Sequence, residues 1–413
     1  MDYSSASVCQ QQLTRPSVLV FSEKCWPDGG GAELASHLLL EMLAENGFEV
    51  TLLTGSRSPK QPHQGVGVLT TKTLCARSKT ELWSGILSRG NRFSRLIADH
   101  DIIYIPGYCY PLVPLAKRLG KKVIVHLHDY LPVSYSAAVP APYEQYKDFP
   151  NKIRSFNIWL ESRKSFLHEA VASLGSFYSH LAAGWVGDAD TVVCVSRRQA
   201  EIVGDLFPGI RHRIVVIYNL PPAIPNGHRS LMEYPTFIYE GGGIYHKGFH
   251  LFLKAAMILL SKGKKAHFIL TSNLSDEGRF IVKSLNKKFD GAFKQVGRLP
   301  YEKVLSLLSR SHGLIFTSIW EEPLPYAIME SMLSGTVPIA SAVGGVPEMV
   351  SGTYAETTLC EPLNMEDVAS HIEVVMSLSN AELVDIGRQL SQSAATKFDR
   401  AKTVQKYLDI LRA

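Results

Sequence analysis

GLIFTSIWEEPLPYAIMESMLSGTVPIAS, residues 313–341, decides how the chain is built. It opens with an apolar run of strand length, crosses a loop holding two prolines, continues at helical period, and closes on a second β-branched run. Pro323 and Pro325 disfavour helix before Tyr326, so Glu322 falls in the loop and Glu330 on the helix. Gly335 is placed to end that helix. Continuous apolar strands joined by a helix predict a parallel sheet covered on both faces.

The same alternation extends outward in both directions. Upstream, strands are predicted at 17–22, 48–54, 101–106, 122–127, 191–196 and 214–217, with the clearest helix from Ala32 to Glu45. The proline-rich stretch 219–235 interrupts the pattern, and strands resume at 236–240, 266–271 and 293–296. The expected fold class is α/β, two Rossmann-like, doubly wound domains with a crevice between them. The expected partition is 1–220, a linker over 221–235, a second domain over 236–394, and a final helix over 395–413. Phe398, Val404, Tyr407, Leu408 and Leu411 share one face of that helix, which must be buried.

Composition agrees with a globular protein of two domains. A chain of 413 residues exceeds one ordinary core, and 46% hydrophobic with 20% charged residues is typical of soluble proteins. A net charge of +5 suits anionic phosphates and is too small to argue for nucleic acid. The six cysteines, Cys9, Cys25, Cys75, Cys109, Cys194 and Cys360, have no paired or metal-ligand spacing and read as free thiols. The polar segment 1–15 carries no signal-peptide pattern, which predicts a cytoplasmic chain.

Ligands in parallel sheets bind beyond the carboxyl ends of strands, where loops run into helix N-termini. In the 313–341 segment the first-turn amides lie between Glu322 and Glu330, an arrangement that suits a diphosphate flanked by two sets of hydroxyls. The competing reading makes Glu322 a helix cap and leaves Glu330 in water. Lys247, just before Gly248 and a helix, opposes the helix dipole and is better placed for a phosphate, although a surface lysine needs no such explanation. Glycines 29–31 permit close backbone approach after the first strand but do not form a dinucleotide fingerprint. His128, in HLHDY (126–130), falls at a strand's carboxyl end on the same face as His126, and a structural histidine is the competing reading.

These residues resemble the family 4 retaining glycosyltransferases. The E-x7-E block Glu322 to Glu330, followed by TVPIA (336–340) and GGVPEMV (344–350), carries the resemblance. GGAE (30–33), LHDY (127–130), CVS (194–196), YNLPP (218–222) and HKGFHLFLKAA (246–256) support it in order along the chain. The resemblance implies a GT-B fold with the acceptor on the first domain, the donor on the second, and a final helix crossing back. It implies a retaining hexosyltransferase of polysaccharide or glycolipid biosynthesis that uses a UDP- or GDP-sugar as substrate, with no cofactor; no D-x-D-type acidic pair after a strand suggests a bound metal, so none is expected. His128 and Glu322 become catalytic candidates at the sugar. Gly30, Gly31, Lys247, Arg298, Leu324, Tyr326 and Glu330 become donor-binding candidates, with Glu330 on the ribose. Gly241 and Gly242 stand where the family carries an arginine, and Pro325 where it often has glycine.

Three alternatives remain open at this level: a glycoside hydrolase, a sugar-nucleotide epimerase on the same fold, and a non-catalytic homologue. One further expectation concerns residues 80–99, read as a helix with Leu82, Trp83, Ile86, Phe93, Leu96 and Ile97 inward and Arg89, Arg92 and Arg95 outward. Those arginines, with Lys117, Lys121 and Lys122, form a candidate rim for an anionic membrane surface and a lipid-linked acceptor; solvated surface arginines are the plainer reading.

Overall fold

The computed structural model of the chain describes residues 15–57, 59, 64–134, 136–148, 176–224 and 229–413. Most of the polar N-terminal segment with Cys9, and part of the proline-rich linker, lie outside the described residues.

One sheet contains β1 (Ser17–Ser22), β2 (Glu49–Thr54), β3 (Val66–Thr70), β4 (Ile102–Ile105), β5 (Lys122–Leu127), β6 (Thr191–Cys194) and β7 (Ile214–Val216), in the order β3-β2-β1-β4-β5-β6-β7. The other contains β8 (Thr236–Tyr239), β9 (His267–Leu270), β10 (Phe293–Gln295), β11 (Gly313–Phe316), β12 (Val337–Ser341) and β13 (Leu359–Cys360), in the order β10-β9-β8-β11-β12-β13. Both are Rossmann orders, with the chain reversing direction across the sheet beside β1 and beside β8. Register is parallel, as in Val18↔Val50 and Ile315↔Ile339. Strands such as β1, β5 and β12 are buried almost end to end, the reason they read as unbroken apolar runs. β3 and the two-residue β13 escape sequence reading: β3 is short, largely exposed and contains Gly67, and β13 is too brief to show a period.

The chain divides into two compact units, 1–124 and 125–413, the break falling inside β5. The first unit packs the helix Gly31–Glu45 through Leu34, Leu38, Leu39, Met42 and Leu43. Residues 80–99 do not form one helix. Helix Lys79–Arg89 ends in a 3-10 turn, Gly90–Phe93, and a short helix Ser94–Ala98 follows, because Gly90 and Asn91 favour a break in the helix. Leu82, Trp83, Ile86, Phe93 and Ile97 are buried, Leu96 is half-buried, and Arg89, Arg92 and Arg95 are exposed.

In the second unit the tail also differs in detail from its expected single helix. Phe398 ends the helix Asn380–Lys397, and Asp399 caps a separate helix, Arg400–Arg412, by accepting from the Lys402 amide at 3.0 Å. Phe398, Tyr407, Leu408 and Leu411 are buried and Val404 is half-buried. The Tyr407 ring lies 6.0 Å from that of His126 on β5. Arg229, within the linker, is anchored on the carbonyls of Ser311 and Leu383 at 2.8 and 2.5 Å. Among the described residues no helix is long and apolar enough to cross a membrane.

Candidate active site

The site is built where β11 and β8 end. β11 delivers Thr317 and Ser318, and the chain then runs through Trp320, Glu321 and Glu322 to the helix Tyr326–Leu333. Pro325 is the N-cap of that helix, with no side-chain cap, and Gly335 follows it at φ +74°. Glu322 therefore does not cap the helix, and Glu330 is buried, so the competing reading of the two glutamates fails. The backbone N–H groups of Leu324, Tyr326 and Ala327 donate to nothing among the described residues. Unpaired N–H groups at a helix start, in a buried segment, are a seat for an anionic oxygen.

Glu322 is only 4% exposed, yet it is held by three donors on a single oxygen. Its Oε1 accepts from Lys247 Nζ at 2.6 Å, Trp320 Nε1 at 2.6 Å and Ser318 Oγ at 2.7 Å. Its Oε2 accepts nothing among the described residues. The Lys247 ammonium also lies 5.0 Å from the centre of the Trp320 ring, a cation–π contact. Close backbone packing sets this geometry. A Cβ on Gly248 would fall 1.7 Å from the Thr317 carbonyl oxygen, and one on Gly344 would fall 2.0 Å from that of Glu322. Both glycines have positive φ, so the Lys-Gly and Gly-Gly pairs are demanded by contact as well as by conformation.

Its neighbour Glu321 takes a different part. Oε1 accepts from the Tyr143 amide at 2.6 Å and Oε2 from the Gly344 amide at 2.7 Å, with Arg198 alongside. Here the segment after β5 pairs antiparallel with residues 319–321, through Ala141 N–H to the Ile319 carbonyl and Glu321 N–H to that of Val139. Tyr130 packs edge-on against Trp320, the rings 6.2 Å apart. The LHDY loop thus reaches Glu322 through Trp320.

His128 and His126 lie face-adjacent with ring centroids 4.1 Å apart, as strand alternation predicts. Burial lowers the His128 pKa to about 4 and that of His126 below the ordinary imidazole range, so both rings are neutral at pH 7. Asp129 does not point at His128 here; its Oδ1 accepts from the Leu131 amide at 2.9 Å.

Glu330 accepts from the Tyr301 hydroxyl at 2.7 Å. Burial raises its pKa, the Tyr301 bond opposing the rise. Arg298 is exposed in the loop that leads to Tyr301. Leu324 and Tyr326 are buried, and the Tyr326 hydroxyl donates to the Leu220 carbonyl at 2.9 Å, which commits that side chain to the YNLPP segment. In the first unit, Gly30 caps the helix Gly31–Glu45, but its amide already donates to Glu33 at 2.7 Å. That carboxylate takes the place foreseen for a ligand's anion at Gly30.

Trp320, Ser318, Tyr301 and Glu240 were not singled out by sequence reading. Only proximity to a strand end could have marked Ser318 and Glu240, and nothing in the spacing marks Tyr301.

The chain matches the family model "Glycosyltransferase Family 4" over residues 29–220 and "Glycosyl transferases group 1" over 222–390. It is 22% identical over 346 residues to an uncharacterized 42.6 kDa protein in the cps region of Klebsiella pneumoniae, covering 78% of this chain and 83% of that one. The crystal structure of Anabaena Alr3699/HepE in complex with UDP and glucose matches with a TM-score of 0.65 at 17% identity, over 96% of this chain and 100% of that one. Sucrose-phosphate synthase from Thermosynechococcus elongatus matches with a TM-score of 0.66 at 16% identity, over 96% and 98%. With two Rossmann-ordered sheets and family models spanning both halves, the chain belongs to the family 4 type of glycosyltransferases and has the GT-B fold.

Proposed function

We propose that the protein is a retaining hexosyltransferase that moves a sugar from a nucleotide sugar to a hydroxyl of a glycan or lipid-linked acceptor. The observation that carries this reading is the pairing, at one helix start, of unbonded amides with a bonded Glu322–Lys247 pair ahead of the helix and a buried Glu330 on it. The amides and Lys247 take the diphosphate, Glu330 the ribose, and the open Oε2 of Glu322 a sugar hydroxyl. The HepE complex with UDP and glucose supports a UDP-sugar as donor, and a GDP-sugar is the alternative.

As the donor bond breaks, charge grows on the departing diphosphate, and preorganised N–H groups with one ammonium offset it most in the transition state. That charge balance supports turnover without a metal. For binding, Lys247 must turn its ammonium from Glu322 toward the phosphate. Arg298 and the amide of Leu324 are the further donor contacts, with Tyr326 contributing through its backbone N–H because its hydroxyl is engaged. His128, neutral and at the end of β5, is proposed to lie beside the reacting sugar. We place the protein in the cytoplasm, peripheral to the inner face of an anionic membrane through the exposed arginines of residues 89–95, and serving polysaccharide or glycolipid synthesis.

Incubation of UDP- and GDP-sugars with and without hydroxyl acceptors, in EDTA, tests the reading. A glycoside with the donor's anomeric configuration, formed in EDTA, is expected. An epimerised donor, an inverted product, or turnover only with added magnesium or manganese would overturn it.

A further inference from the structure

Glu240 directly follows β8, at the carboxyl end of the strand beside which the second sheet reverses direction. Three glycines, 241–243, come next, so the carboxyl is presented from a turn that carries no other side chain. Its main chain is pinned, the carbonyl accepting from Ser272 Oγ at 2.6 Å. The side-chain Oε1 is closed off from solvent and has no hydrogen-bond partner among the described residues. Buried carboxyl oxygens are ordinarily paired, and an orphaned one at a strand's functional end points to a donor group supplied from outside. Glu330 is near enough for its charge to act on Glu240, and Tyr301, whose hydroxyl is bonded to Glu330, feels both carboxyls.

We propose that Glu240 is a second nucleoside-binding carboxyl, which together with Glu330 grips the two ribose hydroxyls of the donor nucleotide. This rests on the nucleotide-sugar reading above. A diphosphate offers no protons and is repelled by two adjacent acids, whereas a diol offers two O–H donors. Buried carboxyls whose charges act on one another do not both ionise readily, so the pair can both accept from and donate to the hydroxyls. Burial, and next the charge of Glu330, raise the Glu240 pKa to about 8. The groups whose charge couples to it are Glu330 from the helix Tyr326–Leu333 and Tyr301 from the helix Tyr301–Arg310, while the Lys247 ammonium, past the glycines, is engaged with Glu322.

Calorimetric titration of the full chain with UDP, 2′-deoxy-UDP and 3′-deoxy-UDP in EDTA tests the assignment. Wild type is expected to prefer UDP over at least one deoxy analogue by about fivefold or more. Glu240→Ala should lose about fivefold on UDP and lose that preference, while the isosteric Glu240→Gln stays within about twofold of wild type at pH 7. Wild-type affinity should fall as pH passes 8 and ionises the pair, and Glu240→Gln should be flat there. Equal losses on UDP and both analogues, no loss in Glu240→Ala, or UDP binding that requires magnesium and Glu240 together would overturn the assignment. Normal UDP binding by Glu240→Ala alongside its loss in Glu330→Ala would leave the donor reading standing and remove this one. Wild type binding neither UDP nor GDP would remove both.

Discussion

Lys247 Nζ lies 2.6 Å from Glu322 Oε1, although sequence reading assigned the lysine to a phosphate and the glutamate to a sugar. Before ligand arrives the pair neutralises two partly buried charges, which would be costly if left apart. Substrate then competes with an internal partner for each.

Lys247→Ala should lower the transfer rate at least tenfold. A charged contact to phosphate in a dry site is worth a few kcal/mol, and about 1.4 kcal/mol is tenfold. Because Gly242 stands where the family has arginine, no second cation from this loop makes up the loss. Steady-state kinetics check this, and near wild-type rates would show that other groups hold the diphosphate.

Glu330→Ala should weaken binding of free UDP, whereas Glu322→Ala should leave free UDP binding intact and damage turnover of the UDP-sugar. Glu322 lies in the loop before the helix and Glu330 on it, each with its own partners, so their losses should separate by ligand. Calorimetry with UDP, followed by donor kinetics, provides the comparison. Normal UDP binding by Glu330→Ala would put the ribose elsewhere.

Trp320→Phe keeps a ring against Tyr130 and Lys247 but removes the N–H that reaches Glu322 at 2.6 Å. A hydrogen bond to a charged group contributes about 1.5–3 kcal/mol, so kcat should drop about tenfold to a hundredfold. Binding of free UDP should change little. A loss in UDP affinity as large as that in kcat would place Trp320 in nucleotide binding and not in holding Glu322.

Much of this architecture was legible because the buried parallel strands are short, apolar and bounded by turn residues, as β1, β5 and β12 illustrate. β3 was not, since an exposed strand holding Gly67 has no such run. At the site, Glu322, Glu330 and Lys247 were legible from spacing around prolines and glycines, which constrain the backbone locally. Trp320 and Tyr301 were not, because their roles depend on which chain segments meet. The indole of Trp320 turns toward Glu322 two residues away, in a segment held in place by residues 139–143. Tyr301 reaches Glu330 across two helices. Glu33 bonding to Gly30 was equally hidden, though an acid three residues after a helix start often bonds back to the cap.

Acid sensitivity should follow the two histidines on β5. Burial lowers the His128 pKa to about 4 against an unfolded value near 6.5, and lowers His126 as well. Between those values the unfolded chain binds protons that the folded chain does not, so stability rises with pH through this window and is lost as pH falls toward 4. A His128→Gln variant should show a shallower fall in chemical-denaturation midpoint between pH 6.5 and 4. An unchanged slope would mean that the ring is protonated in the fold.

Membrane attraction depends on Arg89, Arg92 and Arg95, which are exposed on a helix end, a 3-10 turn and a short helix in turn. Leu87, on the same stretch, is 62% exposed, an apolar group beside the basic ones. Lys121 meets the end of the same stretch, its ammonium bonded to the Ala98 carbonyl at 2.7 Å. A basic side chain close to an anionic bilayer contributes about 1 kcal/mol, so replacing all three arginines by serine should weaken vesicle binding by about a hundredfold at low salt. Sedimentation with vesicles containing anionic lipid is the measurement. Binding should weaken with salt, as exposed charges are screened over about 8–10 Å at physiological strength. It should also be absent on neutral vesicles, and Leu87→Ser should reduce it further through lost apolar insertion. Equal partitioning of wild type and the triple variant, or no binding at low salt, would leave these arginines as ordinary solvated side chains and favour a soluble acceptor.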